Sequence, residues 1–422
     1  MTDIDPSLIV HLADLHLAPR AATVAKLDAI TGRRVRDIDM SLALEWAVAD
    51  IVSQSPLPSV CLIAGDIFDT YQGSHQAILD AESAIKKLRD AGIAVFGIAG
   101  NHDTPTQALK IPAFTVLKDT FENIVGDDHV VLAYDEIKKV IVEDTEYVLL
   151  PHKVCLGEFS TDDLRPSGTV SHSVLVVHGV AAGDPSLEQH DETKEIPIKR
   201  SVLDMGWDYV AFGHYHKPGW IPGYEGRAAY CGSLENTVIS GNDVCHRRGP
   251  VYVKLGDGLP SIDMHPQKIR KITVLDDIDF DDLDDKSVNG VESAVYKALN
   301  KPELDGAIVN LHIKGLPYAI NKMLPNRSFA SVNSKILHVK VKIDLKQESS
   351  RNVDVYTNEV ATDNNESNIA VTESCTSEDT SLLPLSREMS NMLDELISLG
   401  TIRPELRQQV LDILNDELEL TY

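Results

Sequence analysis

Five times in this chain a short apolar run ends on side chains of the kind that bind metals or carry protons. Ser7–Ala13 runs into Asp14-Leu15-His16, Ser59–Ala64 into Gly65-Asp66, and Ile93–Ile98 into Gly100-Asn101-His102-Asp103. Ser173–Val177 leads to His178-Gly179, and Tyr209–Phe212 to Gly213-His214-Tyr215-His216. These runs, with Val251–Leu255 as a sixth, are rich in Val and Ile and bounded by Gly, Asp or Asn, as buried strands are. Helix candidates Met40–Gln54 and His75–Asp90 separate the first three, and the former sets Leu42, Leu44, Trp46, Ala47 and Ile51 near one stripe. Strands alternating with helices imply a layered α/β domain. Loops at the carboxyl ends of strands in such sheets converge on a crevice, so the five polar ends could meet at one place.

The converging residues would be two carboxylates (Asp14, Asp66), one amide (Asn101) and four imidazoles (His16, His178, His214, His216). Such a set suits a two-metal phosphoesterase. There, cations roughly 3.5–4 Å apart clamp a phosphate and turn a water between them into hydroxide at neutral pH. Oxygen and nitrogen donors without thiolate favour Mn²⁺ or a similar ion over a cysteine zinc site. The five cysteines are scattered and form no CxxC pair, which argues against a disulfide framework and for a reducing compartment. Taken singly, a D-x-H or H-G element is common. G-D-x-x-D, G-N-H-D and G-H-x-H in order leave coincidence a poor explanation.

The ordered set D-x-H, G-D-x-x-D, G-N-H-D, V-H-G and G-H-x-H resembles the calcineurin-like metallophosphoesterase superfamily. Within it, His11-Leu12-Ala13-Asp14-Leu15-His16-Leu17, Gly65-Asp66-Ile67-Phe68-Asp69 and Tyr230-Cys231-Gly232-Ser233 are similar to the SbcD nucleases of SbcC–SbcD DNA repair complexes. The resemblance spans His11 to about Ser233. It implies that Asp14, His16 and His216 bind one metal, that Asn101, His178 and His214 bind the other, and that Asp66 bridges them. His102 would face the phosphate as general acid or as stabiliser of developing charge. Asp69 and Asp103 would orient a ligand or the catalytic histidine, with a helix N-cap or turn as the equal alternative for Asp69. His11 reads as a structural histidine or one that supports a ligand, and His152 as an ordinary one. The sequence departs from the SbcD pattern at Ala18, where glycine is usual, and at Leu234-Glu235-Asn236-Thr237 after the Gly-Ser pair.

The fold class expected from pattern and resemblance together is α/β. It comprises a layered β-sandwich metallophosphoesterase core flanked by helices, a small α+β capping domain and a C-terminal helical hairpin. The core would occupy residues 1–265 and the cap 266–345, with a helix at Val291–Leu299, an alternating strand at Leu337–Ile343 and a solvated acidic loop at Asp276–Asp285. Residues 346–383 are nearly devoid of large apolar side chains, so a disordered linker is expected. In 384–422 two apolar stripes, Leu385 to Leu399 and Leu406 to Leu418, flank Gly400 and Pro404 as a helical hairpin would. Such a hairpin is too small to hold a core alone and reads as a dock for an SbcC-like coiled-coil ATPase, or for its own chain.

Charge sets the main tension. At −26 the chain lacks the basic excess usual for nucleic-acid binding, so contacts to DNA would fall to bound cations, a partner or local basic residues. Lys194, Lys199, Arg200, Lys217, Arg227, Arg247 and Arg248 are the candidates for the last. The expected activity is that of a DNA exonuclease or endonuclease in end processing and double-strand-break repair, using two divalent ions such as Mn²⁺. A phosphatase or phosphodiesterase for nucleotides or other small phosphoesters is the first alternative, and a non-catalytic interaction protein the second. A homodimer is compatible with this reading. No apolar run is long enough to span a bilayer and MTDIDPSLIV lacks a signal-peptide layout, so a cytoplasmic protein is expected.

Overall fold

The computed structural model describes residues 3–20, 24, 26–106, 110–125, 129–182, 197–239, 244–324, 329 and 331–346. Residues 1–349 form one compact unit. The expected hairpin (384–422), all but the first residue of the expected linker, and Lys194 lie outside the described residues.

The strands come in chain order as β1 (Ile4–Leu12), β2 (Leu57–Ala64), β3 (Ala94–Ile98), β4 (Val130–Ala133), β5 (Lys138–Val142), β6 (Thr145–Leu150) and β7 (His172–His178). A short parallel pair, β8 (Val180–Ala181) and β9 (Pro197–Ile198), precedes β10 (Tyr209–Gly213), β11 (Gly219–Trp220), β12 (Ala228–Tyr230), β13 (Val251–Lys254) and β14 (Ser261–Met264). They build two six-stranded sheets, ordered β14-β13-β1-β2-β3-β4 and β11-β12-β10-β7-β6-β5. β1 to β4 run parallel, with β4 at one edge, as do β12, β10, β7 and β6, and antiparallel strands form the other three edges.

Alternation along the inner strands makes three apolar layers. Ile9, Val60, Leu62 and Phe96 face Tyr147, Leu149, Val174 and Val176 in the layer between the sheets. The alternate residues, Val10, Leu12, Cys61 and Ile63, point outward to helices α1 (Val35–Val52), α2 (His75–Asp90) and α3 (Ala113–Asp119). On the second sheet Val148, Leu175 and Val177 meet α4 (His152–Cys155) and α5 (Arg200–Leu203) through Val154, Val202 and Leu203. The expected helix-flanked β-sandwich is the fold found. α2 has the expected bounds because Ser74 Oγ caps it, accepting from Ala77 N at 3.1 Å. α1 begins at Val35 rather than Met40. Its first turns carry Arg36 and Asp39, which are buried and paired at 2.8 Å.

Residues 272–345 add a smaller parallel sheet. β15 (Ile272–Val274) and β16 (Ile278–Asp279) pair with one edge of β17 (Ile308–Leu316), and β18 (His338–Leu345) with the other. α6 (Val288–Leu299) lies against it, burying Val291, Val295 and Leu299 with Val309, Leu311 and Ile313, and α7 (Tyr318–Met323) follows β17. The acidic stretch is only partly loop. Ile278–Asp279 is strand and Phe280 is buried, while Asp277 and Asp281 pair with Lys314 and Lys346.

Arg270 fastens this sheet to the sandwich. Its Nε donates to Asp39 Oδ2 at 3.0 Å, its Nη1 to the Gly306 carbonyl at 3.1 Å, and its backbone N to Glu235 Oε2 at 2.6 Å. Arg270→Ala removes charge-assisted bonds and leaves Asp39 with Arg36 alone. We expect a loss of about 2 kcal/mol, read as a lower urea midpoint.

Candidate metal centre

Parallel inner strands bring the carboxyl ends of β1, β2, β3, β7 and β10 to one side, and the five polar motifs follow those ends. The backbone bends sharply there. Asp14 (φ 52°), His16 (43°), Asp66 (52°) and His214 (112°) all lie in the left-handed region, at a cost of roughly 1–3 kcal/mol each. Two glycines let the loops close. A Cβ on Gly213 would overlap the Ala64 carbonyl oxygen, and one on Gly100 would overlap Asp66 Oδ1.

The side chains form one continuous set. Asp14, His16 and His216 offer ligand atoms within 4.8 Å of one another, and so do Asp14, Asp66 and His178. His16 Nε2 faces His216 Nε2 at 3.0 Å. His178 Nε2 lies 2.8 Å from Asn101 Oδ1, and His214 Nδ1 lies 3.3 Å from the same oxygen. Asp66 Oδ2 reaches toward both groups, 3.3 Å from His178 Nε2 and 3.7 Å from His16 Nε2. Asp14, His16, Asp66 and His178 are buried, whereas Asn101, His102, His214 and His216 are partly exposed, so the set is open on one side.

Supporting contacts fix how the rings present themselves. Asp69 Oδ1 accepts from His16 Nδ1 at 3.1 Å, and the Ala64 carbonyl accepts from His178 Nδ1 at 2.8 Å. Each ring then carries a hydrogen on Nδ1 and turns Nε2 inward, the nitrogen that can bind a cation once any proton on it has left. The His102 ring is held likewise, its Nδ1 donating to the Asp69 carbonyl at 2.6 Å. Asp69 is no N-cap, since Ser74 caps α2. Asp103 touches no histidine. It accepts backbone N–H bonds from Ile67, Phe68 and Gly100 at 3.0–3.2 Å and so ties the Asp66 loop to the Asn101 loop. His11 is fully buried away from the cluster and bonds Tyr209 Oη at 2.9 Å across the two sheets.

Two contacts to His216 escaped the sequence reading. Thr237 Oγ1 contacts His216 Nδ1, and Arg248 donates to the His216 carbonyl. Arg248 is 1% exposed, so it is a brace and not a contact for DNA. Both lie beyond the last motif, and no sequence signal links them to His216. His152 is buried, its ring edge-on to His178 with centroids 6.5 Å apart.

The model of the calcineurin-like phosphoesterase family matches residues 7–218, half of the chain and all seven donors. The chain belongs to that family. It is a metal-dependent phosphoesterase of mixed α/β fold. The phosphoesterase is 25% identical over 313 residues to the DNA double-strand break repair protein Mre11 of Methanocaldococcus jannaschii, across 71% of this chain and 76% of that one. The Mre11 proteins of Saccharolobus solfataricus and Aeropyrum pernix are 25% and 24% identical to it, over 49% and 60% of this chain. The phosphoesterase spans 49% and 59% of those two proteins. A dimetal phosphatase from Danio rerio is alike over 62% of this chain and 97% of its own, at 14% identity and a TM-score of 0.35.

Electrostatics make the phosphoesterase's cluster proton-rich until a cation enters. Burial opposes ionisation of Asp66, but His178, His16 and His102 hold its carboxyl far below the usual range. Burial pushes Asp14 up to about 6 against the pull of His178. Burial works against charge on His178, yet Asp66 lifts it to about 9, while burial drives His214 and His216 down to about 3. Oxygen and imidazole donors, inward lone pairs and a buried anion fit divalent cations. Cations must displace the protons on His178 and Asp14, so metal affinity should rise with pH from about 6 to about 9. Calorimetry in buffers of differing ionisation enthalpy should show net proton release at pH 7.

Ala18, where glycine is usual, has φ 57°. A left-handed alanine costs roughly 1–2 kcal/mol, so Ala18→Gly should raise stability by about 1 kcal/mol in urea unfolding.

Proposed function

We propose that this phosphoesterase is a nuclease that hydrolyses DNA phosphodiesters at DNA ends in double-strand-break repair, with two Mn²⁺ ions as its working metals. One observation carries the reading: a buried oxygen-and-nitrogen donor cluster has His102 on its open side, ring fixed by the Asp69 carbonyl. The relatives named as DNA double-strand break repair proteins support DNA as substrate.

In this reading Asp14, His16 and His216 hold one ion, Asn101, His178 and His214 the other, and Asp66 lies between them. Bound cations neutralise the phosphate oxygens and lower the pKa of water. The chain supplies the rest. His102 Nδ1 is committed to the Asp69 carbonyl, which leaves Nε2 to hydrogen-bond a phosphate oxygen or protonate the departing one. Asp69 orients both His16 and His102, and Asp103 holds the Asp66 loop against the loop of Asn101 and His102. Lys199, Arg200, Lys217, Arg227 and Arg247 are exposed and can meet the DNA backbone. Residues 1–265 form the catalytic part and 266–345 a rim over it. The apolar stripes of 384–422 grip an SbcC-like coiled-coil ATPase, and a homodimer completes the assembly. The four described cysteines are free, in keeping with work in the reducing cytoplasm. Among the described residues no helix is long and apolar enough to cross a membrane.

The net charge of −26 favours a second reading, a phosphodiesterase for nucleotides or other small phosphoesters. Purified protein with Mn²⁺ should cleave linear and hairpin DNA. His102→Ala should lower kcat by about 10²–10⁴ with two ions still bound per chain. Two-metal protein that turns over a mononucleotide far faster than DNA would establish the second reading instead.

A further inference from the structure

A cavity of about 260 Å³ opens beside the metal centre, lined in part by Arg20, Arg34, Arg36, Asp37, Thr237 and Lys340. It shares two walls with that centre. Arg20 N donates to Asp69 Oδ2 at 2.8 Å, and the other oxygen of Asp69 holds His16. Thr237 contacts His216.

The charge balance of this cavity reverses that of the chain. Arg36 is buried and committed to the wall, with Nη1 on Asp39 at 2.8 Å and Nη2 on the Asn236 carbonyl. Arg34 gives its Nε to Asp37 Oδ2 at 3.0 Å. Arg20 is exposed, and its guanidinium has no ion pair among the described residues. Among the described residues lining the cavity, Arg20, Arg34 and Lys340 stand with one acid, Asp37, in a protein of net charge −26. Guanidinium groups match the geometry of phosphate oxygens, and contacts of this kind set the register of a strand rather than its sequence. The three cations also come from different parts of the fold: the loop after β1, the start of α1, and β18 of the smaller sheet.

We propose that this cavity binds a backbone phosphate of the DNA strand flanking the phosphodiester being cut, on the His16 and His216 side of the centre. The inference rests on the nuclease reading. It makes Arg20, Arg34 and Lys340 positioning residues for the strand. A bound phosphate joins the sandwich to β18, so the substrate itself draws the smaller sheet onto the catalytic face. A phosphoester with a single phosphate has none to place there and gains nothing from the cavity.

The test uses the full chain with Mn²⁺ and the variants Arg20→Gln and Lys340→Gln, singly and together. Both side chains are exposed, so melting temperatures should match the wild type. For a fluorescent DNA substrate the double variant should raise KM about tenfold with little change in kcat, and flatten the slope of log KM against log salt by about one. Replacing the flanking phosphate with a neutral methylphosphonate should raise KM for the wild type but add little for the double variant. Added inorganic phosphate should compete only weakly, which separates a strand phosphate from a free anion. Variants that equal the wild type in KM and salt slope, on DNA that the wild type cleaves, overturn the cavity's role alone. So does a methylphosphonate effect of full size in the double variant. A wild type that hydrolyses simple esters but cleaves no DNA overturns the nuclease reading, and this role with it.

Discussion

The carboxylate of Asp66 is the constraint from which the centre follows. It is 1% exposed, it accepts from His102 N at 2.9 Å, and it lies between the ring nitrogens of His178 and His16. A carboxylate removed from water costs several kcal/mol unless positive charge stands against it. Protons on neighbouring imidazoles supply that charge in the ion-free protein, and divalent cations replace them with stronger fields and no mobile hydrogen. The neighbouring groups follow the same demand. Asp14 brings a second carboxylate, and its two oxygens accept from His214 N at 3.0 and 3.1 Å. Asn101 brings a neutral oxygen where a third carboxylate would leave excess negative charge.

Holding so much polar chemistry in a buried place requires a rigid apolar frame. The two sheets provide it by turning alternate faces of β1, β2 and β3 toward β6, β7 and β10. Parallel pairing matters because it sends every inner strand out at the same end, so ligands far apart in sequence meet without long loops. The sharp left-handed bends at Asp14, His16, Asp66 and His214 are tolerated because the layers on either side fix where each strand must stop.

Much of this was legible in the residues themselves. Strands buried on both faces show as near-continuous apolar runs, and the buried parts of β1, β2, β3, β7, β10 and β13 did so. The ligand-type residues stand directly after such runs, so their convergence followed from strand direction alone. Elements with exposed faces or with buried polar residues were harder. β5 alternates half-buried and exposed residues and leaves Ile141 in water, while β6 opens with the buried polar pair Thr145 and Glu146. Asp103 was expected to orient a ligand or the catalytic histidine; it accepts from the backbone amides of Ile67, Phe68 and Gly100, which flank Asp66 and Asn101, a pattern only the fold makes visible. Arg248 carries a charge and so read as surface. Only the fold shows that four oxygen acceptors, on His216, Ser233 and Asn236, enclose it.

That enclosure explains why the segment after the Gly-Ser pair takes its particular form. Ser233 and Asn236 grip Arg248, which holds the backbone of His216, and Thr237 holds its ring. Between them, Glu235 faces the opposite way. It lies 3.6 Å from Arg36 and accepts from the backbone of Arg270, the residue that fastens the smaller sheet through Asp39. Five consecutive residues thus join one histidine of the centre to the junction of the two parts of the fold. Most of these contacts are buried and several are charge-assisted, so breaking one leaves a buried polar group unpaired. Glu235 and Asn236 thus connect the smaller sheet to His216, whereas His178 bonds the Ala64 carbonyl and meets Asp66 and Asn101 within the centre.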